Sequence, residues 1–175
     1  YFRLLQLGLM PAEALAVLEN RVKNEPLAAP GKITVALLGH PYNIYDPFIN
    51  MNIIGRLRAM GANVITAENL QEQTVVSYAA RLPKKLFWTL GQRMIGAALH
   101  YLERSDVNGM IHVAAFGCGP DSMTGELIER RARAAGMPFL NLTLDEHTGE
   151  AGIITRLEAF LDMVRWKTAG TVEVI

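Results

Sequence analysis

"GMIHVAAFGCGPDS", Gly109 to Ser122, is the stretch that decides how this chain folds. From Gly109 to Phe116 the residues are apolar except His112, and the run stops at a cysteine set between two glycines. A short apolar run bounded by glycine reads as a buried strand, and Pro120 just beyond it suits the first turn of a helix. Strand, tight turn and helix make half of a parallel crossover unit. The fold then depends on whether the rest of the chain repeats that half.

It does, in both directions. Upstream, "ITVALL" (Ile33–Leu38) follows the turn-like "APGK" and predicts another buried strand. Asp46-Pro47 reads as a helix cap with proline at the first helical position, and Ile53, Ile54, Leu57 and Met60 continue at helical spacing until Gly61. "NVIT" (Asn63–Thr66) is a short strand. Glu68 to Pro83 reads as a loop with one or two turns of helix. From Leu86 to Arg104, the residues Phe87, Leu90, Met94, Ala97, Ala98 and Tyr101 mark one apolar helical face.

Downstream, Leu127, Ile128, Ala132 and Ala135 line one side of a helix whose other side carries Glu126–Arg130 and Glu129–Arg133 at four-residue spacing. Gly136 ends it, "PFLNLTL" (Pro138–Leu144) is the fourth strand, and Ile153, Ile154, Leu157, Leu161 and Val164 point inward from a last helix. Strands alternating with helices imply right-handed crossovers and a parallel sheet covered on both faces. The expected fold is a three-layer α/β domain, Rossmann-like or flavodoxin-like, with four parallel strands in the order 2-1-3-4. Residues 31–167 form that domain, residues 1–30 a helix ("PAEALAVLENRVK") and linker that braces the sheet or joins a neighbour, and residues 168–175 a tail.

Composition sets the outer limits. The chain has 175 residues, enough for one packed domain, with half of them hydrophobic and 19% charged. Zero formal charge and no basic stripe argue against nucleic-acid binding, and no apolar run is long enough to span a bilayer. A single cysteine excludes an internal disulfide framework and suits a reducing cytoplasm. The sequence opens at Tyr1 without a signal-like segment, which reads as a piece of a longer protein.

In such a sheet, ligands bind beyond the carboxyl ends of the strands, near the reversal in strand order. Those ends carry "GHPYNIYDP", "TAEN", "GCGPDS" and "DEHTGEAG", so glycine-rich, titratable loops gather at one edge. The expected site therefore draws on His40, Tyr42, Asn43, Trp88, Gly117, Cys118, Gly119, Asp121, Ser122, Asp145, Glu146, His147 and Glu150. Cys118 is either a small buried hydrophobe or a thiolate at a helix N-terminus, where that form is favoured. "GCGPDS" lacks the third glycine of a dinucleotide fingerprint, since Ser122 stands there, but its amides suit a phosphate or carboxylate. In "DEHTGEAG", Asp145 or Glu146 can orient His147 and Glu150 can serve as acid or base; equally, the stretch is a helix-entry loop. His40 is a ligand or a turn residue, Tyr42 and Tyr45 are pocket walls or donors, and "PKKLFW" lines a site or begins a helix. His112 reads as a hydrogen-bonded core histidine and His100 as a surface one. A small-molecule or phosphate-binding module and a hydrolase using Cys118 with His147 or His40 both remain open at this level.

"HPYNIYDPFINMNIIGRLRAMG", "FGCGPDS" and "LDEHTGEAGIITRLEAF" together resemble the 2-hydroxyacyl-CoA dehydratase D-component family, in its branch of CoA-substrate-specific enzyme activase-related proteins. The resemblance runs from Lys32 to Val164. It implies an iron–sulfur protein of two Rossmann-like domains, with cysteines between them holding a cluster, as in dehydratase subunits with a 4Fe–4S cluster and in double-cubane cluster proteins. It also implies a separate ATP-hydrolysing activase that delivers a low-potential electron, and acyl-CoA as the substrate class, in anaerobic metabolism. Carried over, Cys118 becomes a cluster ligand; Glu150 and His147 stay the catalytic candidates read from the loop residues themselves. The sequence departs from the family in having no second cysteine, whereas a cubane needs about four ligands. The other thiolates would come from a companion domain, and this chain alone would be inactive and without the cluster.

Overall fold

The two most completely buried strands of the computed structural model lie side by side at its centre. The structure describes residues 1–19, 21 and 33–170. Strand β1 (Ile33–Gly39) is buried along its length except at Thr34, and β3 (Gly109–Ala115) is buried up to Ala115. They pair in parallel from Val35↔Gly109 to Gly39↔Val113. Outside β1 lies β2 (Ala62–Thr66), and outside β3 lies β4 (Phe139–Leu144), giving a four-stranded parallel sheet in the order β2-β1-β3-β4. This is a Rossmann-like or flavodoxin-like α/β architecture, as the alternating pattern predicts.

Helices cover both faces. On one face, α4 (Ile53–Ala59) and α8 (Glu150–Gly170) contribute Ile53, Leu57, Ile153, Leu157, Phe160, Leu161 and Val164 against Val35, Leu37, Ile111, Val113 and Leu142. On the other, α6 (Thr89–Leu102) and α7 (Gly119–Ala134) set Met94, Ile95, Ala97, Ala98, Tyr101 and Ile128 on Ala36, Leu38 and Met110. Alternate residues of one strand thus feed opposite cores, which is why β1 and β3 read as unbroken apolar runs. Close approach fixes two glycines: a Cβ on Gly39 would stand 2.5 Å from the carbonyl oxygen of Val113, and one on Gly125 would stand 2.7 Å from the His112 ring.

The N-terminal part forms two helices, α1 (Phe2–Gln6) and α2 (Pro11–Leu18), so α2 ends before the expected "ENRVK" continuation. Most of that continuation and the linker up to residue 32 lie outside the described residues, as do residues 171–175. Met10 enters the sheet core, Glu13 bonds Arg58 of α4, and Asn69 donates to the carbonyls of Leu5 and Leu9. These contacts brace the end of β2. The last helix continues to Gly170.

Four local expectations are corrected. Asp46-Pro47 does not begin the helix that Ile53, Ile54 and Leu57 mark. Asp46 instead accepts from the amides of Phe48 and Ile49 in a turn, and Met51 and Asn52 take left-handed backbone angles that interrupt helical rise. The helix restarts with Asn52 Oδ1 accepting from the Gly55 amide at 3.3 Å. The proline that opens a helix here is Pro41, at the start of α3 (Pro41–Tyr45).

Phe87 is 90% exposed because it precedes the first residue of α6, and Leu90 lies in a first turn that faces an open groove. Ala135 is exposed because α7 stops one residue before it. His100 is half-buried, edge-on to the Tyr78 ring at 4.9 Å, and burial holds its pKa below the ordinary imidazole value. Between β2 and α6, a 3-10 turn (Ala67–Asn69) and α5 (Glu72–Ala79) fill the segment expected to hold one or two helical turns.

Candidate metal-binding site at the switch point

The chain leaves β1 toward β2 on one side and later returns to β3 on the other, so strand order reverses between β1 and β3. The carboxyl ends of these two strands therefore frame the crevice where a ligand fits. His40 follows β1 directly and stands at the N-terminal cap of α3; Cys118 follows β3 and stands at the N-terminal cap of α7, with Asp121 in that helix's first turn. One potential ligand atom from each of His40, Cys118 and Asp121 lies within 4.8 Å of the others.

Asp121 is fully buried. Its Oδ2 accepts from the Ala115 amide at 3.2 Å and from Asn43 Nδ2 at 3.3 Å. Its Oδ1 lies 3.2 Å from His40 Nδ1, but without hydrogen-bond alignment, and has no hydrogen-bond partner. His40 is 6% exposed, and its Nδ1 shares a hydrogen bond of 2.8 Å with the Tyr42 hydroxyl. Burial, then the Asp121 carboxyl and the Cys118 thiol beside it, hold the Tyr42 hydroxyl above the ordinary tyrosine pKa. Asn43 is itself positioned by buried Asn50, whose Nδ2 donates to the carbonyls of Asn43 and Ile44 while its Oδ1 accepts from the Ile53 amide.

Cys118 is half-buried. Gly117, with a left-handed φ of 76°, makes the turn that brings it off β3, and no atom lies within 4 Å of a Cβ built on Gly117 or Gly119. The space beside both flanking glycines is open, and the thiol itself lies beside the Tyr42 hydroxyl. Ser122, exposed, turns its hydroxyl back to donate to the Cys118 carbonyl at 3.0 Å. Trp88, at the N-terminal cap of α6, borders a groove shared with His40, Phe87, Leu90 and Pro120. On the far side of Asp121, His112 bonds Asn141 at 3.1 Å through Nδ1, and its buried Nε2 has no partner. Burial depresses the His112 pKa.

The loop after β4 shares that end of the sheet, since the Phe116 amide donates to the Leu144 carbonyl at 2.8 Å. Its side chains are organised differently. Asp145 Oδ1 accepts from the His147 amide and the Thr148 hydroxyl, and Thr148 accepts from the Asp145 amide. Asp145, Glu146 and His147 are exposed, and His147 Nδ1 lies 3.6 Å from Glu146. Glu150, at the first residue of α8, pairs with Arg56 of α4. The residues named from the sequence therefore form one cluster (buried His40, Asn43 and Asp121, with exposed Tyr42 and half-buried Cys118), a rim (Trp88, Gly117, Gly119, Ser122) and a separate surface turn. Asn50 is the supporting residue that sequence reasoning missed; only its place beside Asn52 just ahead of a helix pointed to it.

A nitrogen, a sulfur and a carboxylate oxygen converging under an open surface can coordinate a metal ion. Among the described residues no helix is long and apolar enough to cross a membrane. No curated protein matches the chain. Residues 10–70, from the start of α2 to just beyond β2 and so including His40, Tyr42 and Asn43, match the family described as a CoA enzyme activase uncharacterised domain.

Proposed function

We propose that this chain is one domain of an iron–sulfur protein related to 2-hydroxyacyl-CoA dehydratase subunits, in which Cys118 supplies one thiolate ligand to a cluster. The observation that carries the reading is the placement of the only cysteine: half-exposed, at the strand-order reversal, between two glycines that have open space beside them. The match of residues 10–70 to a CoA enzyme activase domain supports the same system.

One thiol fits such a cluster as a single corner ligand; a cubane takes about four, usually thiolates, so the remainder come from a companion domain. When bound, the cluster supplies low-potential one-electron transfer. The residues of this chain hold and shield it. Cys118 is the covalent tether, and the first amides of α7, which have no partner within the helix, face the anionic cofactor. Trp88 and Phe87 line the open groove that adjoins it. The partner class is an ATP-dependent activase and the substrate class an acyl-CoA.

The test is anaerobic isolation of the intact protein with assay of iron, acid-labile sulfide and visible absorption. Cys118→Ala is expected to lower iron and sulfide together and to change the spectrum while the fold persists. Unchanged iron content and spectrum in that variant would remove Cys118 from any cluster.

A further inference from the structure

We infer that His40, Cys118 and Asp121 form a binding site for a single divalent ion of the zinc class, complete within this chain and independent of any companion domain. Two of its three ligands, His40 and Asp121, are left unused by the iron–sulfur reading.

Asp121 is fully buried, and among the described residues its ion-pair partner is His40; no lysine or arginine reaches it. A buried carboxylate without a cation is costly, and buried charges are ordinarily paired or coordinate a metal. Its two oxygens are treated unequally. Oδ2 is fixed by a backbone amide and by Asn43, whereas Oδ1 is buried, without a hydrogen-bond partner and 3.2 Å from His40 Nδ1. An oxygen oriented by donors on its twin and left open itself is how a metal-binding carboxylate is held.

The spacing of the three ligands suits a small ion. On a tetrahedral centre, nitrogen and oxygen ligands at about 2.0–2.1 Å stand about 3.3 Å apart, and a sulfur at about 2.3 Å stands about 3.6 Å from either. His40 Nδ1 and Asp121 Oδ1 are already 3.2 Å apart, and the three ligand atoms lie within 4.8 Å of one another. A turn of the half-buried Cys118 side chain closes the remainder. Metal binding exchanges the His40–Tyr42 hydrogen bond for a nitrogen–metal bond.

The donor types narrow the choice of ion. Imidazole with thiolate selects zinc-like ions over calcium or magnesium, which prefer all-oxygen sites. Three protein ligands on a tetrahedral ion leave a fourth position, the arrangement of reactive rather than structural zinc.

The experiment uses this chain, stripped of metal and kept reduced under anaerobic conditions, with cobalt(II) and zinc(II) as probes. Cobalt is expected to saturate at a single ion, giving intense tetrahedral ligand-field bands and a thiolate-to-cobalt charge-transfer band; zinc should displace it and raise the melting temperature. Cys118→Ser should abolish the charge-transfer band. His40→Ala and Cys118→Ser should each weaken binding by about 100-fold or more, since even outer-shell losses cost about 10–100-fold. Asp121→Asn is read only if its circular dichroism matches the parent, so the outcome is decided by His40→Ala and Cys118→Ser. Absence of saturable binding, or affinity unchanged in those two variants, would overturn the inference. Cobalt binding here without iron in the intact protein would sink the iron–sulfur reading alone; the reverse pattern would sink this one alone.

Discussion

The loops after β3 and β4 begin at neighbouring positions on the same sheet edge, yet only one becomes part of a buried cluster. After β3, Cys118 and Asp121 meet His40 and Asn43, which arrive from the far side of the strand-order reversal. After β4, Asp145 directs its hydrogen bonds to His147 and Thr148 within its own turn. The difference lies in position. β3 is flanked by β1, whose own loop supplies partners, whereas β4 is an edge strand with a neighbour on one side only. Titratable residues at a strand end become a site where two such ends converge.

That contrast is open to direct attack. The largest effect is expected from Asp121→Ala, which strips a partner from the half-buried Ala115 amide and from buried Asn43 and leaves His40 without its carboxylate; a loss of about 3 kcal/mol should lower the melting midpoint by roughly 6–12 °C. Asp145→Ala, in the exposed turn, should behave as an ordinary surface substitution. Equal midpoints for the two would erase the distinction.

Next in size is Gly39→Ala, whose Cβ would meet the Val113 carbonyl at 2.5 Å; overpacking there should cost about 2 kcal/mol in urea unfolding. Gly149→Ala, in the turn after β4, meets nothing within 4 Å and should stay within about 0.5 kcal/mol of the parent.

A pH effect should follow from the wall behind Asp121. His112 faces Asp121 and His40, bonds Asn141, and is held below the ordinary imidazole pKa chiefly by burial. Its folded state thus binds a proton less readily than its unfolded state. The associated stability is complete above about pH 6.5 and is lost as pH falls from there toward the depressed folded pKa, by up to about 1.4 kcal/mol per pH unit for one proton. His112→Gln should flatten that slope in midpoints measured between pH 7 and 5, leaving a smaller contribution from His100, whose pKa is depressed in the same direction. An unchanged slope would mean that His112 does not control it.

The smallest expected effect is on stability upon modifying Cys118. A thiol-specific alkylating reagent should label it in the folded chain, with little change in the melting midpoint, as mass spectrometry and calorimetry would show. A thiol inert until denaturant is added would place Cys118 in the core.

The sheet was legible because β1 and β3 are buried on both faces and so carry unbroken apolar runs, a signal that needs no knowledge of partners. The site residues were legible individually, since each follows a strand end. Their division was not. Nothing in "DEHTGEAG" announces that Thr148 will engage Asp145, and nothing in "HPYNIYDP" announces that Asn50, behind a turn with two left-handed residues, will fix Asn43. The short helix α3 was hidden for a related reason: five residues are too few to display a period, leaving Pro41 as its only mark.

The register of β1 against β3 has a consequence for any attempt to divide the chain. On the β3 side, Val35 through Gly39 find their partners only from residue 109 onward, more than a third of the sequence later. A polypeptide ending near residue 70 would keep β2 on one side of β1 and leave the other as a bare row of amides and carbonyls along a nearly all-apolar strand. Such an edge recruits copies of itself, so truncated or stalled chains should aggregate through "TVALLG" until β3 arrives to occupy it.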